Sequence, residues 1–175
     1  MDELSKSINE KFILLRNEVD NTCSHLHKIH EKFTNCKKGC DECCMNFSIL
    51  PIEFYSILQS IKDLKLMPNN NPDPESCPFL VNHSCIIYPF RPLICRTHGL
   101  PILDMDLEGE NWELSFCPLN FKQNDDEYFT HGNCYHQDVY NSKLYMLNLE
   151  FIKSFESISY ENGEMIELRK FREII

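Results

Sequence analysis

Four thiols occupy nine residues in the stretch Cys36 to Cys44, written CKKGCDECC. A lysine pair, a glycine and an acidic pair separate them, and no apolar side chain lies between the sulfurs, so the stretch is not a packed core segment. Thiolates that a tight turn aims at one point bind soft cations such as zinc or iron, and Gly39 supplies the backbone freedom such a turn needs. Cys40 and Cys43 have the two-residue gap that lets both sulfurs grip one metal. Cys36 stands one residue further upstream than a repeated two-residue gap would put it. Adjacent side chains rarely aim at one ion, so Cys43 and Cys44 divide into a ligand and its supporting neighbour, or serve two metals. A redox-active or disulfide pair among the four is the competing reading.

A second cysteine region runs from Cys77 to Gly99, CPFLVNHSCIIYPFRPLICRTHG. Cys77, Cys85 and Cys95 are set among Pro78, Pro89 and Pro92, and proline-punctuated loops deliver side chains to a centre without a long helix. A short strand is expected at Cys85 to Tyr88. Arg91 and Arg96 flank Cys95, and a thiolate-rich centre carries surplus negative charge that buried cations offset. Pairing of both arginines with surface carboxylates is the alternative. His98 reads as a fourth ligand, a base or a plain loop histidine, and His83 has the same ambiguity. Cys117 is followed by proline, as Cys77 is.

Taken together, CKKGCDECC, CPFL and CIIYPFRPLICR resemble the YkgJ-type (CxxCxxCC) cysteine-cluster family, whose described property is zinc or iron chelation. The resemblance covers roughly residues 36–98. It implies that Cys36, Cys40, Cys43, Cys44, Cys77, Cys85 and Cys95 are the family's cysteines, and Cys117 joins the candidate ligands from outside those segments. The first gap here is three residues where the family name gives two. Some members are flagellin lysine methylases, so the resemblance also admits an enzymatic role.

The elements that must position these residues follow from periodicity. From about Leu4 to Phe33, the residues Ile8, Phe12, Leu15, Val19, Leu26, Ile29 and Phe33 recur at three- and four-residue steps, which predicts a long amphipathic helix with Cys23 near its apolar stripe. His25, His27 and His30 read as surface histidines of that helix. Pro51 suits a first helical residue, and a helix runs from it to about Leu66. Met67 to Ser76, rich in proline and asparagine, is a loop. Leu100 to Phe116 alternates on both sides of a Glu-Gly-Glu-Asn turn and predicts a β-hairpin, with Met105 and Leu107 on one arm and Trp112, Leu114 and Phe116 on the other. A last long stripe runs through Tyr140, Leu144, Leu147, Phe151, Phe155 and Ile158, and a short helix is expected from Glu164 to Ile174. The fold class is therefore mainly α: a helical scaffold of about three to four helices with one small β-hairpin and a cysteine-rich metal-binding loop region. One domain of residues 1–175 accommodates it, with residues 36–98 as the metal-binding core and helices in 1–35 and 137–175 flanking it.

Composition bounds the function. The 175 residues carry ten cysteines and a formal net charge of −10. Residues 101–175 hold six basic and fifteen acidic side chains, so the acid excess is C-terminal. No cluster of Lys and Arg offers a nucleic-acid surface, and no apolar run is long enough for a membrane span. The opening MDELSKSINEKF lacks an apolar signal segment, which places the protein in the cytoplasm, where thiols stay reduced. Cys36, Cys40 and Cys43 also read as CxxxCxxC, the spacing of radical S-adenosylmethionine enzymes. Those enzymes usually have an aromatic residue where this chain has Glu42, and they need alternating strands and helices. No Gly-rich phosphate loop, HExxH or GxSxG occurs. The expectation is a cytoplasmic protein whose partner is a metal ion, zinc or iron, with no reaction and no protein partner specified. An iron–sulfur-cluster enzyme or accessory factor in protein modification, such as lysine methyl transfer, is the alternative.

Overall fold

A computed structural model describes residues 3–37, 39–154 and 160–175. In chain order the described elements are α1 (Glu3–Ile29), β1 (Ser48–Ile49), α2 (Pro51–Leu64), β2 (Leu80–Val81), β3 (Ser84–Cys85), α3 (Leu93–Thr97), β4 (Ile102–Met105), β5 (Trp112–Ser115), β6 (Tyr135–His136), α4 (Gln137–Lys153), β7 (Ile166–Glu167) and α5 (Phe171–Ile174), with short 3-10 turns between. Helix is the largest component, as expected, but three small sheets replace the single hairpin. None of the described helices is long and apolar enough to cross a membrane. The chain divides into two compact units: residues 1–12, 38–92 and 145–175 make the first, and residues 13–37 and 93–144 the second.

The first unit is built on α2. Leu50 is the extended N-cap residue, Pro51 the first helical position, and the Glu53 carboxylate accepts the Leu50 N–H at 3.4 Å. A buried amide of the first turn that would otherwise lack a partner, Ile52 N–H, donates to Asn148 Oδ1 on α4 at 3.1 Å. Lys65 ends the helix in the left-handed region with φ 54°. Phe54, Ile57 and Ile61 face a core that includes Ile49, Cys77, Phe79, Ile87, Leu168 and Phe171. Phe171 stacks on Phe54 with ring centroids 4.1 Å apart and meets Phe79 at 5.1 Å. The C-terminal segment is thus not one short helix: Ile166 and Glu167 first form a strand against Ile49 and Ser48, and only then does the chain turn helical.

The last long stripe also differs in detail. Leu144, Asn148, Phe151 and Ile152 are the buried residues of α4, while Leu147 is only half-buried. Asn148 takes an apolar position because its amide caps α2, a role periodicity does not encode. Phe155 and Ile158 lie outside the described residues.

In the second unit the order β5-β4-β6 makes a three-stranded sheet, antiparallel between β4 and β5 and parallel between β4 and β6. The hairpin is the expected one, but Leu107 belongs to its tip and is fully exposed. There the Asp106 carboxylate accepts the backbone N–H groups of Glu110 and Asn111, which hold its carboxyl below the usual range. From α1 the buried residues here are Leu15, Val19, Cys23 and Leu26, and the next step of four lands on His30, which is wholly buried. Ile29 is exposed instead. His30 is therefore no surface histidine: Nδ1 bonds the Tyr128 hydroxyl at 2.8 Å and Nε2 the Asn133 carbonyl at 2.6 Å, and the ring meets Phe121 edge-on.

Arg96 on α3 is also buried, and its guanidinium donates to both carboxylate oxygens of Asp20 on α1 at 2.5 Å. Such a pair is costly to break from one side, because the remaining charge stays out of water. By contrast Lys11 and Glu150 pair at 2.9 Å with both side chains half-exposed.

Two stability outcomes follow. Asn148→Ala leaves the Ile52 N–H without its acceptor and should cost about 1–3 kcal/mol in denaturant unfolding. Asp20→Asn should cost on the order of 1–3 kcal/mol, because it weakens a charge-assisted bond to a buried guanidinium, whereas Lys11→Ala should stay within about 1 kcal/mol. Equal effects of Asp20→Asn and Lys11→Ala would mean that burial of Arg96 does not set the strength of its pair.

Candidate metal centre

The first unit holds Cys40, Cys43, Cys44, Cys77 and Cys85. Gly39 has φ +94° with open space where a Cβ would stand, so its need for glycine is a matter of backbone hand rather than crowding. The chain then turns tightly, with Cys44 N–H bonded to the Asp41 carbonyl at 2.8 Å. Directly after this turn Met45 bridges Ser76 in antiparallel fashion, and Asn46 N–H donates to the Glu75 carbonyl at 2.8 Å. That register, carried one residue on, sets Cys44 opposite Cys77.

Cys77 in turn leads into the β2–β3 hairpin, in which Cys85 pairs with Leu80. The two hairpin turn residues, Asn82 and His83, have φ 48° and 58°, the left-handed pair that a two-residue turn requires. The His83 ring reaches back and its Nδ1 lies 2.8 Å from Asp41 Oδ2, which joins the hairpin tip to the CDECC turn. Cys44, Cys77 and Cys85 all pack on the same apolar core. The backbone thus gathers the Cys40–Cys44 turn and the Cys77–Cys85 hairpin, which the sequence separates by more than thirty residues.

The electrostatics around these sulfurs has two opposed parts. A hydrogen bond with the Cys44 side chain, with burial behind it, pushes the Cys43 thiol well up. Burial likewise pushes up Cys77 and Cys85. Against that, the Cys77 sulfur is met by the backbone N–H groups of Phe79 and Leu80 and by the charge of Arg172, and the Cys85 sulfur by the N–H of Ile87 and the charge of Arg91. Backbone donors and a nearby cation are what a thiolate needs when it leaves water. Arg91 therefore faces Cys85. It also lies over the Tyr88 ring at 3.7 Å and donates to the Tyr88 carbonyl at 3.0 Å.

The second unit holds Cys36, Cys95 and Cys117, together with Cys23 and Cys134, which are buried core residues. Cys95 sits on α3, so this part of the second cysteine region is helical where a proline-broken loop was expected. The segment ahead of Cys36 is sewn to the segment after Cys117: Phe121 N–H donates to the Phe33 carbonyl at 2.9 Å, and the Asn35 amide donates to the Leu119 carbonyl at 2.6 Å. Asn120, itself buried, accepts the Asn35 N–H at 2.7 Å, donates to the Gly99 carbonyl at 2.7 Å and brings Nδ2 to 3.4 Å from Cys36 Sγ. Gly99 has φ +92°, and a Cβ there would stand 2.7 Å from the same sulfur. The buried Arg96 guanidinium, next to Cys95 in sequence, has the Asp20 carboxylate as a partner. Burial pushes the His98 imidazole down, which keeps it neutral near pH 7.

None of the ten cysteines forms a disulfide. Among the described residues no group of three or more His, Cys, Asp or Glu side chains stands at metal-holding geometry. In the first unit Cys44, Cys77 and Cys85 share one neighbourhood without being closed into a cage, and in the second the segments carrying Cys36 and Cys117 are hydrogen-bonded to each other. The sequence reading missed Arg172, whose guanidinium donates to Asn69 and Ser76 beside Cys77. It also missed Asp41 as the partner of His83, and Asn120. The repeated Cys-Pro pair was a usable signal, since the residue three positions past each of these cysteines closes a turn on it: Leu80 N–H to the Cys77 carbonyl at 3.3 Å, and Asn120 N–H to the Cys117 carbonyl at 2.9 Å.

Comparison with curated proteins gave no match, and comparison with solved structures gave none either. A family model does match residues 35–118; it is named CxxCxxCC and described as "Putative zinc- or iron-chelating domain". The matched span takes in Cys117 as well as the seven upstream cysteines of the two regions. Residues 35–118 of this chain are thus similar to the CxxCxxCC family model.

Proposed function

We propose that this protein chelates zinc or iron through cysteine thiolates, with Cys40, Cys43, Cys44, Cys77 and Cys85 as one ligand set and Cys36, Cys95 and Cys117 as another. The observation that carries the reading is the treatment of the sulfurs in the first unit. Cys77 and Cys85 are taken out of water, yet Cys77 has two backbone N–H donors and Arg172 nearby, and Cys85 has one such donor and Arg91. A buried structural thiol needs neither; a thiolate bound to a cation needs both.

The donor set fits the ion. Sulfur-only ligation serves tetrahedral zinc and iron–sulfur clusters alike, and oxygen-preferring cations such as magnesium or calcium are poorly served by it. A bound ion supplies a cross-link between loops and, where a position stays open, a Lewis acid. The chain's own part is to hold the sulfurs: the Met45–Ser76 bridge sets the register, the His83–Asp41 pair holds the hairpin tip, and Arg172 fixes the loop before Cys77. Reduced cysteines suit a cytoplasmic setting, and we assign no reaction. Arg91 and Arg172 take the charge-offsetting role in the first unit, and His98 stays with the second ligand set.

Metal analysis of protein prepared anaerobically from a reducing cytoplasm tests the reading. At least about one equivalent of zinc or iron is expected, since one tetrahedral site consumes four of the eight candidate thiols. A brown colour would assign an iron–sulfur cluster, and a colourless protein zinc. Cys77→Ser should lower metal content and thermal stability together, because a structural zinc site contributes on the order of 10 kcal/mol to folding. Cys23→Ala should leave metal content intact. Less than about a tenth of an equivalent of both metals, set against the one equivalent a tetrahedral site needs, or equal metal loss from the two variants, would overturn the proposal.

A further inference from the structure

Asn120 lies two residues past the end of the family match, and its side chain is 1% exposed. Its orientation is fixed by two hydrogen bonds that only one placement of the amide satisfies: Oδ1 accepts the Asn35 N–H, and Nδ2 donates to the Gly99 carbonyl, both at 2.7 Å. These two bonds alone would make Asn120 a loop tie. A third contact goes further. The second Nδ2 hydrogen is directed to Cys36 Sγ, 3.4 Å from the nitrogen, and Oδ1 lies 3.9 Å from the same sulfur. One side chain can thus donate to a thiolate and accept from a thiol.

Gly99 converges on that sulfur independently. Its φ of +92° and the 2.7 Å that would separate a Cβ from Cys36 Sγ leave bare backbone where the sulfur sits. Cys36 is exposed as a residue, so nothing in core packing calls for such a cradle. We infer that Asn120 is a positioning residue for Cys36, which aims the sulfur at a metal ion and donates an N–H to it, with Gly99 as the bare floor of the cradle. The inference rests on the chelation reading. An N–H bonded to a ligating thiolate holds the ligand's direction and shares its charge, and removal of such partners typically lowers metal affinity by about ten- to a hundredfold.

Two measurements decide it. In the first, zinc affinity is read by chelator competition for wild type, Asn120→Asp, Cys36→Ser and the double variant. The aspartate keeps the acceptor for Asn35 and loses both donations. The zinc Kd should rise by about tenfold or more with Cys36 present and hardly at all in the Cys36→Ser background. The same loss in both backgrounds, or no loss in either, would reduce Asn120 to a loop tie and overturn the inference. The second uses the unaltered chain, in case Asn120→Asp does not fold. Loading with cadmium-113 should shift the Asn120 side-chain amide protons and give one of them a through-hydrogen-bond coupling to the metal. Cadmium bound with that amide unmoved would overturn the inference and leave chelation standing. Failure of wild type to bind either zinc or cadmium would overturn the chelation reading, and the role of Asn120 with it.

Discussion

Everything in the first unit depends on the backbone of residues 45–49 being hydrogen-bonded to chain from two distant parts of the sequence. At its start Met45 and Asn46 meet Ser76 and Glu75; at its end Ser48 and Ile49 pair with Glu167 and Ile166. Leu168 N–H donates to the Phe47 carbonyl and Arg169 N–H to Asn46 Oδ1, so hardly a polar group in this short run lacks a protein partner. The satisfied backbone is what permits burial of Ile49 and of the adjacent core, since an unpaired amide there would cost as much as the apolar contact gains. Because the run begins one residue after Cys44, the same bonds fix where the cysteine turn ends.

Short strands of two residues carry little stability by themselves. Their persistence here comes from side chains that finish the job, and asparagine recurs in that role. Asn148 caps α2, Asn69 donates to the Cys77 and Leu80 carbonyls, and Asn120 ties three segments of the second unit. An amide both donates and accepts, so one buried asparagine can close two loops that a hydrophobic residue could only cover. A chain with nine prolines and several irregular segments has many carbonyls outside ladders, and Asn69 and Asn120 donate to three of them, those of Cys77, Leu80 and Gly99.

That division explains what was legible in the sequence. Period and turn chemistry gave α1, α2, α4 and the β4–β5 hairpin, because each is decided within a window of some fifteen residues. The stripe of α1 even pointed at His30, one step of four past Leu26, but a histidine at an apolar position can be recognised as core only when Tyr128 and the Asn133 carbonyl are known to meet it. The cysteine turn was legible from the thiols and Gly39. What was not legible lies at long range: the Met45–Ser76 bridge, the approach of Arg172 to Cys77, and Arg96 choosing Asp20 on α1. No count of charges by segment points to Asp20, whose two carboxylate oxygens accept from the Arg96 guanidinium across 76 residues of sequence.

The cysteines and the residues that hold them obey different constraints. The eight candidate thiols are recognised by chemistry and spacing, and all of them fall within residues 35–118, the span that the family model matches. The groups that settle a sulfur's direction and charge need only be near it in space. Arg172 comes from the last helix and Asn120 from just past the matched span, and neither is announced by any cysteine spacing. A thiolate taken out of water needs compensating donors whatever their origin, and in this chain they are drawn from wherever the fold brings an amide or a guanidinium to the sulfur. The flanking chain is then part of the proposed chelating unit in a physical sense: truncation at residue 118 would keep every candidate ligand and remove Arg172 beside Cys77 and Asn120 beside Cys36.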